Sequence, residues 1–254
     1  MRKNLGQHFL TSRNVARSIV AALGPRADET IVEIGPGTGA LTALLVERAG
    51  RVIAIEKDPS LARTLRDELR AENLSVIEGD VRDFDPRALG LSRYSVIGNI
   101  PYYITGKILR TVLSARVQPS RAVFMVQKEV AERILARKTK PLDSAQGNES
   151  ILSISVKAYG TPRYIRTVGR GAFAPQPRVD SAVIAIEHIS RNALRTVDES
   201  VFFELLRRGF AHRRKLLRRN LNVAARTLER CNIPENARAE NLSVAQWRCL
   251  ARDS

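Results

Sequence analysis

The stretch Glu33-Ile34-Gly35-Pro36-Gly37-Thr38-Gly39-Ala40 decides the fold of this chain of 254 residues. It continues a β-branched run, Thr30–Ile34, which is typical of a buried strand, and a helical pattern follows it. Glycines at such a junction permit a tight turn and let a ligand approach the backbone closely. The stretch therefore predicts the ligand-binding turn of an open α/β sheet.

The sequence on the carboxyl side of this turn repeats the same alternation. Strands are predicted at 51–55, 74–77, 94–97 and 121–126, with helical patterns such as PSLARTLRDELRAE between them. Strands alternating with helices indicate crossover units and a mostly parallel, Rossmann-like sheet that is covered on both faces. Two later apolar runs, Ile151–Tyr159 and Ser181–Ile189, can extend this sheet.

The character of the chain changes after residue 190. β-Branched runs end there, and Val201 to Leu221 places apolar residues on one helical stripe (Phe203, Leu206, Phe210, Leu217 and Leu221). This pattern predicts a catalytic, ligand-binding sheet domain at 1–190 and a small all-α domain at 191–254. Residues 138–148, KTKPLDSAQGN, are polar and predict a mobile loop.

Charge is the strongest compositional signal. Lys and Arg number 42 against 26 Asp and Glu, a net charge of +16, which indicates a polyanionic partner such as nucleic acid. No apolar run has transmembrane length, and MRKNLGQHFL lacks a signal-peptide core, so we expect a cytoplasmic monomer without a membrane partner. The only cysteines, Cys231 and Cys249, form no CxxC motif, which argues against a disulfide scaffold and a metal site.

Acidic residues stand at the ends of two predicted strands. Glu56 follows the second strand, about 20 residues after the glycine turn, where a carboxylate can accept both hydroxyls of a ribose. Asp80 ends the third strand and can bind an adenine amino group in the same crevice. A dehydrogenase remains an alternative because Gly35, Gly37 and Ala40 fit a loose GxGxxA pattern, and either acid can instead cap a helix. An adenosine without a pyrophosphate, as in a sulfonium cofactor, fits both acids better.

Residues 98–103, GNIPYY, interrupt the fourth strand with an amide, a proline and two tyrosines. Asn99 and the backbone carbonyl before Pro101 can both accept protons from an amino group as positive charge develops on its nitrogen. Proline fixes the direction of that carbonyl, and Tyr102 offers a flat face to an extruded base. A plain strand-ending turn remains the alternative. Tyr103 is predicted to pack inward.

Several motifs together resemble the rRNA adenine N6-dimethyltransferases, a class I methyltransferase family that uses S-adenosylmethionine. The motifs are NLGQHFL at 4–10, EIGPG at 33–37, Ile55-Glu56, Gly79-Asp80, NIPY at 99–102 and FAPQPRVDS at 173–181. Within the family, the stretches FMVQKEVAER at 124–133, FAHRRKLLRRNL at 210–221 and RAENLS at 238–243 are similar to the housekeeping, KsgA-type branch, which acts on the small ribosomal subunit.

The resemblance implies dimethylation of two adjacent adenosines in the 3′-terminal hairpin loop of small-subunit (16S) rRNA, with rRNA in assembling 30S particles as partner. It also implies that His8, Leu10, Gly35, Glu56, Asp80 and Asn99 contact the cofactor. Phe173 is implied to close on the target base opposite Tyr102, whereas a core aromatic is the alternative. Two rivals remain: a large-subunit resistance methyltransferase and a non-catalytic RNA-binding assembly factor.

A basic stretch lies in the predicted helical domain. Residues 207–219 include seven Lys or Arg and no acid. Arg207, Arg214 and Arg218 are predicted to share one helical face beside the apolar stripe. Such a face can simply be solvated, but the resemblance favours binding to RNA phosphates.

Overall fold

The computed structural model describes residues 8–136, 149–212 and 214–252. The chain forms two compact units. Met1–Ala131 and Pro162–Ile189 form the sheet unit, and Glu132–Thr161 and Ser190–Ser254 form the helical unit. The chain thus passes from the first to the second unit twice, and the helical unit includes residues 132–161, which were assigned to the sheet domain. The loop predicted at 138–148 lies outside the described residues.

The sheet unit is built on a seven-stranded sheet in the order β4-β3-β2-β5-β6-β9-β7. Strands β2 to β6 run parallel, and β9 pairs with β6 in the antiparallel direction. A separate two-stranded ladder joins β1 to β8. The strands are β1 Phe9–Leu10, β2 Thr30–Ile34, β3 Arg51–Glu56, β4 Leu74–Glu78, β5 Ser95–Asn99, β6 Ala122–Gln127, β7 Thr161–Val168, β8 Phe173–Ala174 and β9 Ser181–Glu187.

Ten α-helices accompany the strands within the described parts of the chain. They are α1 Arg13–Leu23, α2 Thr42–Leu45, α3 Pro59–Glu68, α4 Thr105–Leu113, α5 Lys128–Leu135, α6 Ile151–Lys157, α7 Glu199–Gly209, α8 Leu217–Leu221, α9 Ala225–Arg230 and α10 Val244–Arg252. None of the helices in the described residues is long and apolar enough to cross a membrane.

The central strands form because their side chains are apolar on both faces. Every residue of β6 from Ala122 to Val126 is buried, and β2, β3 and β5 are nearly as continuous. Such runs are stable only where helices cover both faces of a sheet. The parallel sheet predicted from the sequence is therefore confirmed, with all five predicted strands and the extension at Ser181–Ile189.

The predicted strand at Ile151–Tyr159 is wrong, because this segment forms helix α6. Ser150 accepts a hydrogen bond from the Ser153 backbone, and the Ser153 hydroxyl accepts one from the Ser150 backbone, so a capping box starts the helix. A short apolar run does not by itself distinguish a strand from a buried helix. The seventh strand is β7, Thr161–Val168, which the sequence patterns did not reveal.

The single helical stripe predicted at 201–221 is also wrong. Helix α7 ends at Gly209, and a separate helix, α8, begins only at Leu217. A Cβ atom at Gly209 would lie 2.2 Å from the buried Trp247 ring, so the glycine permits close packing of that ring. The side-chain amide of Asn220 then donates to the Gly209 and His212 carbonyls, which stabilises the turn between the two helices.

Cys231 and Cys249 form a disulfide that joins the segment after α9 to α10. This pair was not predicted, because two cysteines 18 residues apart carry no motif that indicates pairing. Closing a loop of this length restricts the unfolded chain and stabilises the folded one by about 3 kcal/mol in the chain-entropy model. The helical unit therefore has a covalent link in addition to its apolar core.

Candidate functional site

A cavity lies at the carboxyl ends of β2, β3, β4 and β5, where ligands bind in open α/β sheets. Five segments of the sheet unit contribute to its wall: residues 8–10, the glycine turn at 33–41, the strand ends at 55–58 and 79–81, and residues 99–104. Motifs far apart in the sequence thus converge on one crevice. Its chemistry follows from the polar groups in that wall.

At the glycine turn, backbone atoms without side chains border the cavity. Gly35 and Gly37 have φ angles of 63° and 57°, in the left-handed region that other residues rarely adopt. A Cβ atom at Gly37 would also lie 3.0 Å from the Phe9 ring. A side chain at this position would therefore strain the backbone and collide with the segment that covers the turn.

Glu56 is nearly fully buried and has a partner for each carboxylate oxygen. The Gly37 N–H donates to Oε2 at 3.0 Å, and the Asp58 N–H donates to Oε1 at 2.9 Å. A carboxylate offers about four acceptor positions, two on each oxygen. Glu56 thus keeps one acceptor position on each oxygen, which matches the two hydroxyls of a ribose.

The Asp80 carboxylate has more polar contacts than that of Glu56. Arg82 donates from its backbone N–H and its Nε to Oδ1 and from Nη2 to Oδ2, and Lys57 Nζ lies 3.0 Å from Oδ2. The Arg82 side chain in particular lowers the pKa of Asp80 well below its usual range. Asp80 also caps the short 3-10 helix Val81–Asp83, so the alternative role as a helix cap holds as well. All of its acceptor positions are in use, and another donor must displace one of the cations.

Glu33 presents a buried carboxylate without a full set of partners. Its side chain is 1% exposed and borders the cavity, and Oε2 has no hydrogen-bond partner among the described residues. Burial raises the pKa of Glu33 to about 8, and the nearby negative charge of Glu56 adds to this effect. Such an orphaned polar atom indicates a place where a ligand can complete the hydrogen bonding.

Asn99 ends β5 with its amide held in one orientation. Its Nδ2 donates to the His8 backbone carbonyl at 3.1 Å, so Oδ1 is the atom left to accept a proton from a ligand. His8 Nδ1 in turn lies 2.8 Å from the Pro175 carbonyl oxygen, and β1 pairs with β8 at Phe9–Ala174 and Leu10–Phe173. Residues 8–10 and 173–175 therefore hold the catalytic candidate Asn99 in place through His8.

The two tyrosines differ sharply. Tyr102 is half-buried, its hydroxyl lies 2.6 Å from Ser181 Oγ, and its ring centroid is 5.8 Å from that of His8. Burial raises the pKa of the Tyr102 hydroxyl, which keeps it neutral. Tyr103 is 63% exposed and borders the same cavity. The prediction that Tyr103 packs inward is wrong, because Pro101 and the following 3-10 turn direct only one of two consecutive rings toward the core.

The remaining candidates occupy different surroundings. Leu10 and Gly35 border the cavity with His8. Phe173 does not occur among the described residues that border it, since its ring is 3% exposed and packs with Leu10, Val15 and Ile19 in the apolar core. This burial fits the core-aromatic alternative, and the role of Phe173 at the target base stays a prediction.

The three arginines of the helical unit do not share a helix. Arg207 is on α7, Arg214 is in the turn that follows it, and Arg218 is on α8. The prediction of one helical face is wrong because α7 stops at Gly209. Arg207 and Arg214 are exposed, whereas Arg218 is partly exposed and lies 3.9 Å from a Glu235 oxygen.

Three residues of the site were missed in the sequence. Lys57 and Arg82 each lie within two residues of a predicted cofactor acid, so charge alternation at strand ends could have indicated them. Glu33 opens the glycine motif, but its burial depends on packing that no local pattern reports. No group of three or more His, Cys, Asp or Glu side chains that could hold a metal occurs in the described segments.

The arrangement fits a nucleoside cofactor without a pyrophosphate. Glu56 can accept two hydroxyls, the backbone is bare at the glycine turn, and the orphaned Glu33 oxygen suits a cationic or protonated donor. The Glu56 carboxylate, which accepts a hydrogen bond from the Gly37 N–H in the glycine turn, would repel a pyrophosphate there. The residues of the crevice therefore fit S-adenosylmethionine better than a nicotinamide dinucleotide.

The sequence matches the family model of ribosomal RNA adenine dimethylase over residues 1–252. It is 40% identical to ribosomal RNA small subunit methyltransferase A of Acidobacterium capsulatum, over 97% of this chain and 90% of that protein. It is 38% identical to the protein of the same name from Bordetella pertussis, over 98% and 92%. A dimethyladenosine transferase structure from Plasmodium falciparum superposes with a TM-score of 0.76 and 25% identity, over 96% of both chains.

Proposed function

Since this chain belongs to the ribosomal RNA adenine dimethylase family, we propose that it dimethylates the N6 amino groups of two adjacent adenosines in the 3′-terminal hairpin loop of small-subunit rRNA. The relatives named ribosomal RNA small subunit methyltransferase A, which match nearly the whole chain, support this choice of subunit. Assembling 30S particles are the proposed substrate, and the cytoplasm is the corresponding place of action.

S-Adenosylmethionine supplies an electrophilic methyl group when it is bound. Glu56 would hold its ribose hydroxyls through the acceptor position left on each oxygen. Gly35, His8 and Leu10 would line the same crevice. Asp80 would accept the adenine amino group after one of its bonds to Lys57 or Arg82 is released. Glu33 is available to a donor group of the cofactor.

The observation that carries the proposed chemistry is the fixed amide of Asn99. Because its Nδ2 is bound by the His8 carbonyl, Oδ1 is directed to accept a proton from the target amino group. The Ile100 carbonyl, held in direction by Pro101, is the proposed second acceptor. Two acceptors favour a tetrahedral nitrogen and stabilise the positive charge that grows on it during transfer.

Tyr102 is the proposed stacking surface for the extruded adenine. Its hydroxyl is anchored to Ser181, so the ring cannot rotate freely and is ready to stack. Phe173 is the proposed second face of the base pocket, as the resemblance implies, and its ring would have to leave the apolar core to contact the base. No strong base is required, since a methylated ammonium is acidic enough to lose its proton to water.

Arg207, Arg214 and Arg218 are proposed to contact rRNA phosphates. Their support is the excess of positive charge in residues 207–219 together with the exposure of Arg207 and Arg214. These contacts would position the RNA without reading its sequence.

Methylation of purified rRNA tests the proposed function directly. Wild-type protein, S-adenosylmethionine and partly assembled small subunits from cells lacking the enzyme should yield two dimethyladenosines in the 3′-terminal loop, as found by mass spectrometry of that fragment. Large-subunit RNA should stay unmodified. Methylation of the large subunit alone would favour a resistance-type enzyme, and RNA binding without any methylation would favour a non-catalytic assembly factor.

A further inference from the structure

Tyr103 is the most exposed large apolar side chain among the described residues, at 63%. It immediately follows Tyr102 in a short 3-10 helix and borders the same cavity as Asn99. Exposure of a ring costs hydrophobic stabilisation that an inward position would provide. The role proposed for Tyr102 leaves this second ring without a function.

Lys57 borders the same cavity as Tyr103, and Arg82 contacts Asp80, which also borders it. Lys57 and Arg82 both contact Asp80, and about half of each cationic side chain is exposed. Tyr103 and Asp80, the residue that holds both cations, border the same cavity.

An exposed aromatic ring and exposed cations at one cavity are the usual composition of a binding site for single-stranded nucleic acid. The ring stacks on a base, which needs no particular sequence, and the cations contact the phosphates. A protein partner would need a larger apolar patch, and Tyr103 is the only large exposed apolar side chain that borders the cavity in the described residues. RNA is therefore the occupant that the composition favours.

We propose that Tyr103 stacks on the base next to the adenine being methylated, while Lys57 and Arg82 contact the phosphates of that nucleotide. This inference rests on the proposed function and assigns the positioning of the neighbouring nucleotide to Tyr103, Lys57 and Arg82. Tyr102 would hold the target base and Tyr103 the adjacent base. The tyrosine pair thus suits a substrate with two adjacent adenosines, since each adenosine can occupy either place in turn.

The test uses a synthetic RNA hairpin of the small-subunit 3′-terminal loop, with 2-aminopurine replacing one of the two adjacent adenines. Binding to wild-type protein should quench the fluorescence of 2-aminopurine by stacking. Tyr103→Ala should lose this quenching and weaken hairpin binding by about 5- to 100-fold, the range for one stacked base. Tyr103→Phe and Tyr103→Trp should restore both, because they keep a flat ring.

Two controls separate this role from loss of structure. Tyr164→Ala removes a tyrosine of β7 that does not border the cavity, and it should leave hairpin binding unchanged. Lys57→Gln should reduce the slope of log affinity against log salt by about 0.7–0.9, as one lost phosphate contact requires, whereas Lys107→Gln on α4 should not. Affinity of Tyr103→Ala for S-adenosylmethionine should equal that of the wild type.

Unchanged quenching and affinity in Tyr103→Ala would overturn the inference. If the wild type methylates the hairpin and Tyr103→Ala does so with the same KM, the proposed function stands and the role of Tyr103 fails. If the wild type binds and quenches but never methylates, the proposed function fails while the stacking role stands.

Discussion

The two units of the chain hold their proposed functional groups in opposite ways. In the sheet unit, Glu56 and Asn99 are bound by backbone groups that belong to other strands and segments. In the helical unit, Arg207 and Arg214 are exposed, and Arg207 donates to the Phe203 carbonyl, one turn earlier in its own helix. The first arrangement is rigid before any ligand arrives, whereas the second leaves long side chains free to adjust.

This difference matches what each kind of contact requires. Stabilising charge on a reacting nitrogen demands acceptors already in position, because reorganisation during the reaction would cost the energy that catalysis needs. Attraction to phosphates acts over about 10 Å at moderate salt and tolerates movement of the side chain. Changes in the sheet unit should therefore alter rate or cofactor affinity strongly, and changes in the helical unit should alter salt-dependent RNA binding.

The largest effect is expected from Asn99→Ala. The rate of a single turnover should fall by about 10²–10³-fold, as on removal of one preorganised polar group, while the affinity for S-adenosylmethionine changes much less. Rapid-quench measurement of methyl transfer to the rRNA substrate gives the rate, and calorimetry gives the affinity.

Asn73→Ala is a matched control for this change. Asn73 also donates its amide to backbone carbonyls, those of Val46 and Ala49, but it does not border the cavity. Its removal should lower stability without a comparable loss of rate. A near wild-type rate in Asn99→Ala would remove Asn99 from the chemistry and leave the rigid amide with only a structural role.

Glu56→Ala should have the next largest effect. Loss of hydrogen bonds to a charged carboxylate should weaken binding of S-adenosylmethionine by about 1.5–3 kcal/mol, which calorimetry can measure. Glu78→Ala is the control, since this acid ends the neighbouring strand β4 but is exposed and does not border the cavity. If both variants bind the cofactor like the wild type, the ribose is held elsewhere.

The two units also differ in how well their structure could be predicted from the sequence. In the sheet unit, each strand is a contiguous apolar run, and parallel strands bring their carboxyl ends to one edge. Residues that follow the runs, such as Glu56, Asp80 and Asn99, could therefore be assigned to one crevice without knowledge of side-chain packing. The exposure of Tyr103 could not be predicted in this way. The directions of two adjacent rings depend on the local 3-10 turn, which the apolar pattern does not reveal.

The helical unit depended on contacts between residues distant in the sequence. Gly209, the last residue of α7, packs against the Trp247 ring, 38 residues later, and Cys231 pairs with Cys249 on α10. The helical pattern of apolar residues in the sequence does not reveal either contact. The prediction that the three arginines share one helical face was therefore wrong. The same limit applies to Phe173, whose motif did not reveal that its ring enters the core.

The triple change of Arg207, Arg214 and Arg218 to Gln tests the helical unit. Each lost phosphate contact should reduce the slope of log affinity against log salt by about 0.7–0.9, so the total reduction is about two to three units. Between about 50 and 200 mM salt, the wild type should then lose about 15- to 60-fold more affinity than the variant. Affinity for S-adenosylmethionine should not change.

A second triple variant, Arg226→Gln with Arg230→Gln and Arg252→Gln, removes the same charge from exposed positions of α9 and α10. Its slope should stay close to that of the wild type. Equal reductions in both variants would indicate general attraction by net charge, and an unchanged slope in the first would show that these arginines do not contact RNA. Arg218 is expected to contribute least, because Glu235 lies 3.9 Å from its guanidinium.

The last prediction concerns the stability of the protein and not its activity, and it tests how well Glu33 is shielded from water in the sheet unit. The pKa of this carboxyl is raised from 4.5 to about 8 by burial, so the folded protein keeps its proton between these values while the unfolded chain releases it. The unfolded state then binds fewer protons, and stability falls as pH rises through this range.

Compared with Glu33→Gln, whose neutral side chain does not titrate, the wild type should lose up to about 1.4 kcal/mol of unfolding free energy per pH unit. Urea unfolding of both proteins from about pH 5 to 10 measures the difference, which should level off above the raised pKa. Parallel stability curves would mean that the carboxyl ionises normally in the folded state, and the crevice would then be more open to water than its burial indicates.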